Sequence, residues 1–128
     1  MSLPVKRSVA VLIRKDDLIL ATRRSEDDDE LPGVWGLPAG SYRASERLED
    51  LIQRIGRDKL RVLLIPIRKL AAGRQARPRY ILEMELWEAE ISGEPRHPAW
   101  RWAAAEVLRL GDSEGSLCCH LALEVVRS

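Results

Sequence analysis

The sequence predicts an α+β fold, a mixed β-sheet core sandwiched between α-helices. Strand-length apolar runs and alternating stretches lie on both sides of one strongly periodic helical segment, and a second apolar helical pattern closes the chain. Repeats, linkers and low-complexity stretches are absent from the sequence.

Each element follows in order. Val9 to Ile13 is an apolar run, Asp16-Asp17 offers a turn, and Leu18 to Thr22 resumes the apolar pattern, so a hairpin opens the chain. Arg23-Arg24 and the acidic stretch Glu26 to Glu30 lead to Leu31-Pro32-Gly33, whose charge and turn residues predict a solvated loop. From Ser45 the period changes: Leu48, Leu51, Ile52 and Ile55 fall at the i, i+3, i+4, i+7 spacing of an amphipathic helix. Ser45 is the expected N-cap, Glu46, Glu49 and Asp50 suit the positive end of the helix, and Gly56 is the expected stop.

Arg61 to Ile67 reads as a buried strand ending near Pro66. Tyr80 to Ile91 alternates, with Leu82, Met84 and Leu86 against Glu83 and Glu85. The phase then inverts, Trp87, Ala89 and Ile91 standing against Glu88 and Glu90, and this predicts a bulge or sharp twist near Leu86-Trp87 with the glutamates on an outward face. Ser92 to Pro95 is a turn, Trp100 to Ala103 a short strand and Ser113 to Arg127 a C-terminal helix.

At 128 residues with 45% apolar composition, the chain has the size of one globular domain spanning residues 1–128. Lysine plus arginine (21) balances aspartate plus glutamate (20), which argues against holding long nucleic acid by bulk charge, so any phosphate site is local. The start lacks a leader-like apolar core, and no apolar stretch approaches the roughly 20 residues of a spanning helix; the expectation is a cytoplasmic protein without membrane contact. Cys118 and Cys119 are adjacent, where a mutual disulfide closes almost no loop, so they read as free thiols. Consecutive helical residues point about 100° apart, so Cys118-Cys119-His120 does not converge on one ion, and core packing is the expectation there.

Gly33-Val34-Trp35-Gly36-Leu37-Pro38-Ala39-Gly40, followed after five residues by Glu46 and after seven more by Arg54, resembles the start of the Nudix box, G-x5-E-x7-R-E-U-x-E-E-x-G-U with U aliphatic. Leu20 to Arg24 is similar to the strand before that box, and Trp100-Arg101-Trp102 before Glu106-Val107-Leu108 to the family's tryptophan strand and last helix. The resemblance implies a MutT-like Nudix fold and metal-assisted attack of water on a nucleoside diphosphate-linked compound. It also implies that Gly40, Trp35 and Pro38 shape the box loop, that Glu46 and Arg54 hold this loop against its helix, and that the catalytic positions are Asp58, Glu46 and Arg54.

The second half of the box departs from the pattern. Arg54 to Val62 reads Arg-Ile-Gly-Arg-Asp-Lys-Leu-Arg-Val, so three glutamates become Ile55, Asp58 and Lys59. In the family those carboxylates share one helix face and surround Mg²⁺ or Mn²⁺. Asp58 is the single metal ligand the resemblance leaves. Ile55 offers a cation nothing, and an ammonium such as Lys59 repels a divalent ion by about 8 kcal/mol at 4 Å and an effective dielectric of about 20. Gly56 is expected to end the helix early, and Arg61 replaces the turning glycine. The loop Pro95-Arg96-His97-Pro98, where some relatives carry a further glutamate, supplies no carboxylate.

Two functions follow. One is a Nudix hydrolase using Mg²⁺ or Mn²⁺, with Asp58 assisted by Glu49, Asp50 or a strand glutamate and with weak or absent turnover. The other is a module without a metal, binding a nucleotide-type anion through Arg57 and Lys59 beside Arg54 and Arg61, with Arg23 and Arg24 adding charge. Partner contact, as in a homodimer, is the third use such a domain admits.

Overall fold

The computed structural model describes residues 2–96 and 99–127. The strands are β1 (Val5–Leu12), β2 (Arg14–Lys15), β3 (Leu18–Arg23), β4 (Trp35–Gly36), β5 (Ala39–Ser41), β6 (Leu63–Ala76), β7 (Ile81–Ser92) and β8 (Trp100–Ala103). Helix α1 (Leu48–Ile55) runs into a π-helical turn, Gly56–Leu60, and the chain closes through a 3-10 turn, Ala105–Leu108, into α2 (Arg109–Ser113) and α3 (Leu117–Val126).

One sheet has the order β5-β1-β7-β6, with β1 parallel to β7 and the other pairings antiparallel. In the second, β3 pairs with β2, β4 and β8. The first sheet is covered on both faces. Ala10 and Leu12 of β1 pack with Leu121, Ala122 and Cys119 of α3, while Val9, Val11 and Ile13 pack with Leu51, Ile52 and Ile55 of α1. That double burial is why Val9 to Ile13 is an unbroken apolar run.

The same arrangement corrects the expected bulge in β7. The pairing of β7 with β1 runs without interruption from Val5↔Ile81 to Leu12↔Glu88, so alternation never breaks. Leu82, Met84 and Leu86 face α3, whereas Trp87, Ala89 and Ile91 face α1. The apparent change of phase records which half of each face is covered. Irregularities do occur opposite this region, but on edge strand β6, between Pro66 and Arg68 and between Lys69 and Ala71. β6 therefore passes through Pro66 rather than ending there. An edge strand has a free side on which a missing N–H breaks no ladder bond. Three of the glutamates on β7 are in ion pairs: Glu83 with Arg74, Glu85 with Lys69, and Glu88 with Arg14 and Arg68.

The ends of the helices differ from expectation. Ser45 has φ of +65°, a left-handed turn, and α1 begins at Leu48 with Arg47 as its N-cap residue. Glu46 consequently precedes the helix, and Asp50 Oδ2 accepts the Arg47 N–H at 3.0 Å. Gly56 is αR and continues the helix into the wider turn, and it admits close packing there, since an added Cβ would stand 2.7 Å from the Val62 carbonyl oxygen and 2.9 Å from Leu64 Cγ. The stop is Arg61, left-handed at φ +57°, with Val62 N–H donating to Gly56 O at 3.1 Å. The C-terminal helix begins at Leu117 rather than Ser113. Gly115 at φ +97° breaks the chain after α2, and the Ser116 hydroxyl caps α3 by accepting from Cys119 N.

Candidate functional site

The box loop and α1 are joined by one arginine. Arg54 Nε donates to Glu46 Oε2 at 2.8 Å and Nη2 to Glu46 Oε1 at 2.9 Å, a two-point clamp. Nη2 also reaches the Ser41 carbonyl at 2.6 Å, and Arg43 N–H donates to Glu46 Oε1 at 2.9 Å. The guanidinium thereby ties the end of β5, the turn through Arg43 and α1 into one body. Hydrogen bonds from Arg54 and then from the Arg43 N–H hold the Glu46 carboxyl down at about 2, and Glu46 in turn raises Arg54. A carboxyl depressed in the folded state adds stability that is full above its ordinary range near 4.5 and lost as pH falls toward about 2. The thermal midpoint of wild type is thus expected to approach that of Glu46→Gln between pH 4.5 and 2. Parallel pH profiles would show that the clamp does not titrate this way.

Gly40 lies against the same helix. A Cβ there would meet Ile55 Cγ1 at 3.1 Å and Leu51 Cδ1 at 3.3 Å, so glycine admits the close approach of loop to helix. Pro38 is buried and its carbonyl accepts from Val11 N–H at 2.9 Å. Trp35 is half-buried beneath the Arg101 guanidinium, 4.4 Å from the ring centroid, and its carbonyl accepts from Cys119 Sγ at 3.7 Å. Cys118 and Cys119 are free and buried in the core, while His120 points outward to Asp112.

Beyond Arg54 the residues diverge. Ile55 is 1% exposed and belongs to the core. Asp58 is exposed and bonded to Arg57 Nε at 3.2 Å. Lys59 is exposed and makes no ion pair among the described residues. Glu49 and Asp50 are exposed on the first turn of α1. No three His, Cys, Asp or Glu side chains among the described residues are grouped to hold an ion. His97 and Pro98 of the loop before β8 lie outside the described residues. Arg61 carries left-handed strain that glycine would not, so Arg61→Gly is expected to stabilise the chain by about 0.5–1 kcal/mol, strain relief less the added chain entropy. A denaturant midpoint unchanged or lowered would count against it.

The arginines expected to meet an anion are largely engaged. Arg54 is committed to Glu46. Arg23 donates to the Gly33 carbonyl at 3.1 Å and is ion-paired with Glu26, and Arg24 donates to Asp28 at 2.9 Å. Partial burial pushes the Asp28 carboxyl up, but bonds from the Leu31 N–H, Arg24 and the Glu30 N–H outweigh it and hold the group below its usual range.

The tertiary structure adds a cleft that the sequence reading missed. It opens beside Gly40 and Ser41, and Lys6, Arg24, Glu30, Arg77 and Tyr80 line it together with the apolar Leu82 and Met84. The available signal was Arg77-Pro78-Arg79-Tyr80, a basic turn between two long strands. Arg77 Nη1 donates to Glu30 at 3.0 Å and the Tyr80 hydroxyl to Glu30 at 3.2 Å. Burial, and then the Glu30 charge, push the Tyr80 hydroxyl up.

No protein-family model and no curated protein matches the chain. Solved structures do. The E. coli ORF135 protein superposes with a TM-score of 0.76 at 21% identity, over 98% of this chain and 94% of that one. The MutT protein of Methanosarcina mazei Go1 gives 0.73 at 21% identity, over 87% and 84%. The MutT NUDIX hydrolase of Burkholderia pseudomallei gives 0.70 at 25% identity, over 80% and 84%. With its mixed sheet between α1 and α3 and its box loop clamped to α1, the chain has the Nudix fold of the MutT-like hydrolases.

Proposed function

We propose that this chain is a Nudix-fold module that binds an anionic, nucleotide-type small molecule, and that its metal-dependent cleavage of diphosphates is weak or absent. The observation that carries this is the donor set on α1 and the turn after it. Where the fold's hydrolases are expected to present three carboxylates, Ile55 is in the core, Lys59 is an ammonium, and Asp58 is turned to Arg57. A hard divalent cation takes about six oxygen ligands and tolerates no cation among them, so Mg²⁺ or Mn²⁺ does not fit these residues. Glu46 and Arg54 serve to hold the loop.

Ligand recognition then falls to the cleft beside that loop. Lys6 and Arg77 supply positive charge, Ser8 and Ser41, whose hydroxyls bond each other at 2.9 Å, also line it, and Leu82 and Met84 add apolar surface. Charged groups that fix an anion beside an apolar surface suit a phosphorylated ligand with a flat or apolar part. Arg57 and Arg61, with Asp58 beside them, line a second surface depression beyond the end of α1, and Lys59 is exposed on the same turn. The two unpaired thiols suit a reducing cytoplasm.

The test incubates the protein with nucleotides, ADP-ribose and other diphosphates, with and without Mg²⁺ or Mn²⁺, beside Asp58→Asn/Lys59→Gln. Metal-free thermal shifts with at least one ligand are expected, about 2.7 kcal/mol of stabilisation at a hundredfold excess over Kd. Phosphate-bond cleavage is expected to stay at the level of the double variant. Metal-dependent turnover clearly above that level overturns the catalytic half of the reading, and absence of any shift overturns the binding half.

A further inference from the structure

One residue of the cleft is an acid, Glu30, and it is bonded to the arginine and the tyrosine there. Glu30 lies in the exposed loop after β3, yet its carboxylate spans 47 residues to Arg77 and 50 to Tyr80. Its own side chain is 46% exposed, whereas that of Arg77 is 18% exposed. Arg77 does not depend on Glu30 for its place. Its N–H donates to the Tyr80 carbonyl at 2.8 Å across the hairpin turn, and Nη2 donates to the Gly115 carbonyl at 3.3 Å. Its Nε is buried without any acceptor. A guanidinium pinned at its base and at one nitrogen, with a second nitrogen unsatisfied, has more donor capacity than one glutamate uses. Lys6 stands beside it, its ammonium 5.1 Å from the Tyr80 ring centroid.

The space available agrees. With Glu30 in place the cleft holds about 140 Å³, below the roughly 300–1,000 Å³ of sites that enclose a whole drug-sized ligand. We infer that Arg77 and the Tyr80 hydroxyl form the anchor for a phosphate or diphosphate group of the ligand, and that Glu30 occupies this anchor in the free protein as an internal competitor. The inference rests on the reading that the cleft takes an anionic ligand, and it assigns the group that recognises the anion. An anion entering the site takes the Arg77 Nη1 and Tyr80 hydroxyl donors that Glu30 holds, and the Glu30 carboxylate returns to solvent with the loop. The apparent affinity of the free protein is lowered by the fraction of time Glu30 holds the site.

The probe is inorganic pyrophosphate in metal-free buffer, titrated calorimetrically into wild type, Glu30→Gln, Asp29→Asn and Arg77→Gln, with each variant's melting curve recorded without ligand. An exposed ion pair biases an equilibrium by up to about fivefold, so Glu30→Gln is expected to bind pyrophosphate two to five times more tightly. Asp29→Asn makes the same charge change one residue away and is expected to bind as wild type does. Arg77→Gln is expected to bind at least tenfold more weakly. Should it not fold, Arg77→Lys, which lacks the planar fork, is expected to lose affinity severalfold. The proposal falls if Glu30→Gln binds no more tightly than wild type, if Asp29→Asn gains as much, or if the folded Arg77 variant keeps wild-type affinity. If nucleotides stabilise the wild type while Glu30→Gln changes nothing, this inference fails and the ligand-binding reading stands. If neither pyrophosphate nor nucleotides bind any variant, both fail.

Discussion

Ile55→Glu, which restores a glutamate of the Nudix box, is expected to destabilise the protein by about 4 kcal/mol or more and to recover no metal binding. The side chain at this position is 1% exposed, clustered with Leu51, Ile52 and Leu64, and so close to Gly40 that a Cβ there would stand 3.1 Å from its Cγ1. Truncation to alanine leaves a cavity and costs about 2–5 kcal/mol. A carboxylate in the same place loses the same contacts and must also be desolvated, with no hydrogen-bond donor supplied by its aliphatic neighbours. Urea melts of wild type, Ile55→Ala and Ile55→Glu, each with and without Mn²⁺, check the order. A glutamate variant as stable as wild type, or one stabilised selectively by Mn²⁺, would show that the side chain swings into a ligand position and that the box is repaired by one residue.

Gly56→Ala carries the second large effect, with an expected loss of about 1–3 kcal/mol, although alanine is the better helix former by about 1 kcal/mol. Gly56 has ordinary helical angles, so propensity alone favours the substitution. Packing decides otherwise. The added methyl would sit 2.7 Å from the Val62 carbonyl oxygen, a backbone atom held by the first residues of β6, and 2.9 Å from Leu64 Cγ, which is fully buried. Relief requires the π-helical turn to move away from β6. A larger aliphatic residue, as the box pattern has here, requires a wider displacement still. A thermal midpoint equal to or above that of wild type would mean that the turn yields without strain.

These two positions show how far the chain could be read in advance. The apolar spacing of Leu48, Leu51, Ile52 and Ile55 located α1, because a helix periodicity is written in residues three and four apart. Glu46 and Arg54, eight residues apart, meet as their place in the motif implied, and the two cysteines pack into the core. The N-cap of α1 lies two residues later than expected, at Arg47, since Ser45, a good cap by type, is held left-handed in the turn that brings Glu46 to Arg54. Gly56 looked like a stop because glycine usually marks one. Here its missing side chain serves contact with β6, and Arg61 makes the turn instead.

By itself the sequence determined the fold class, the amphipathic helix and the run of strands, all of which depend on the kind of residue and its near neighbours. Only the tertiary structure decided which half of β7 is covered by which helix, that β6 carries Pro66 through an irregular edge, and that Glu30 closes onto Arg77 and Tyr80. Those outcomes depend on pairings between residues tens of positions apart. Their strength comes from the burial, register and charge of the assembled layers, to which no local pattern in the chain corresponds.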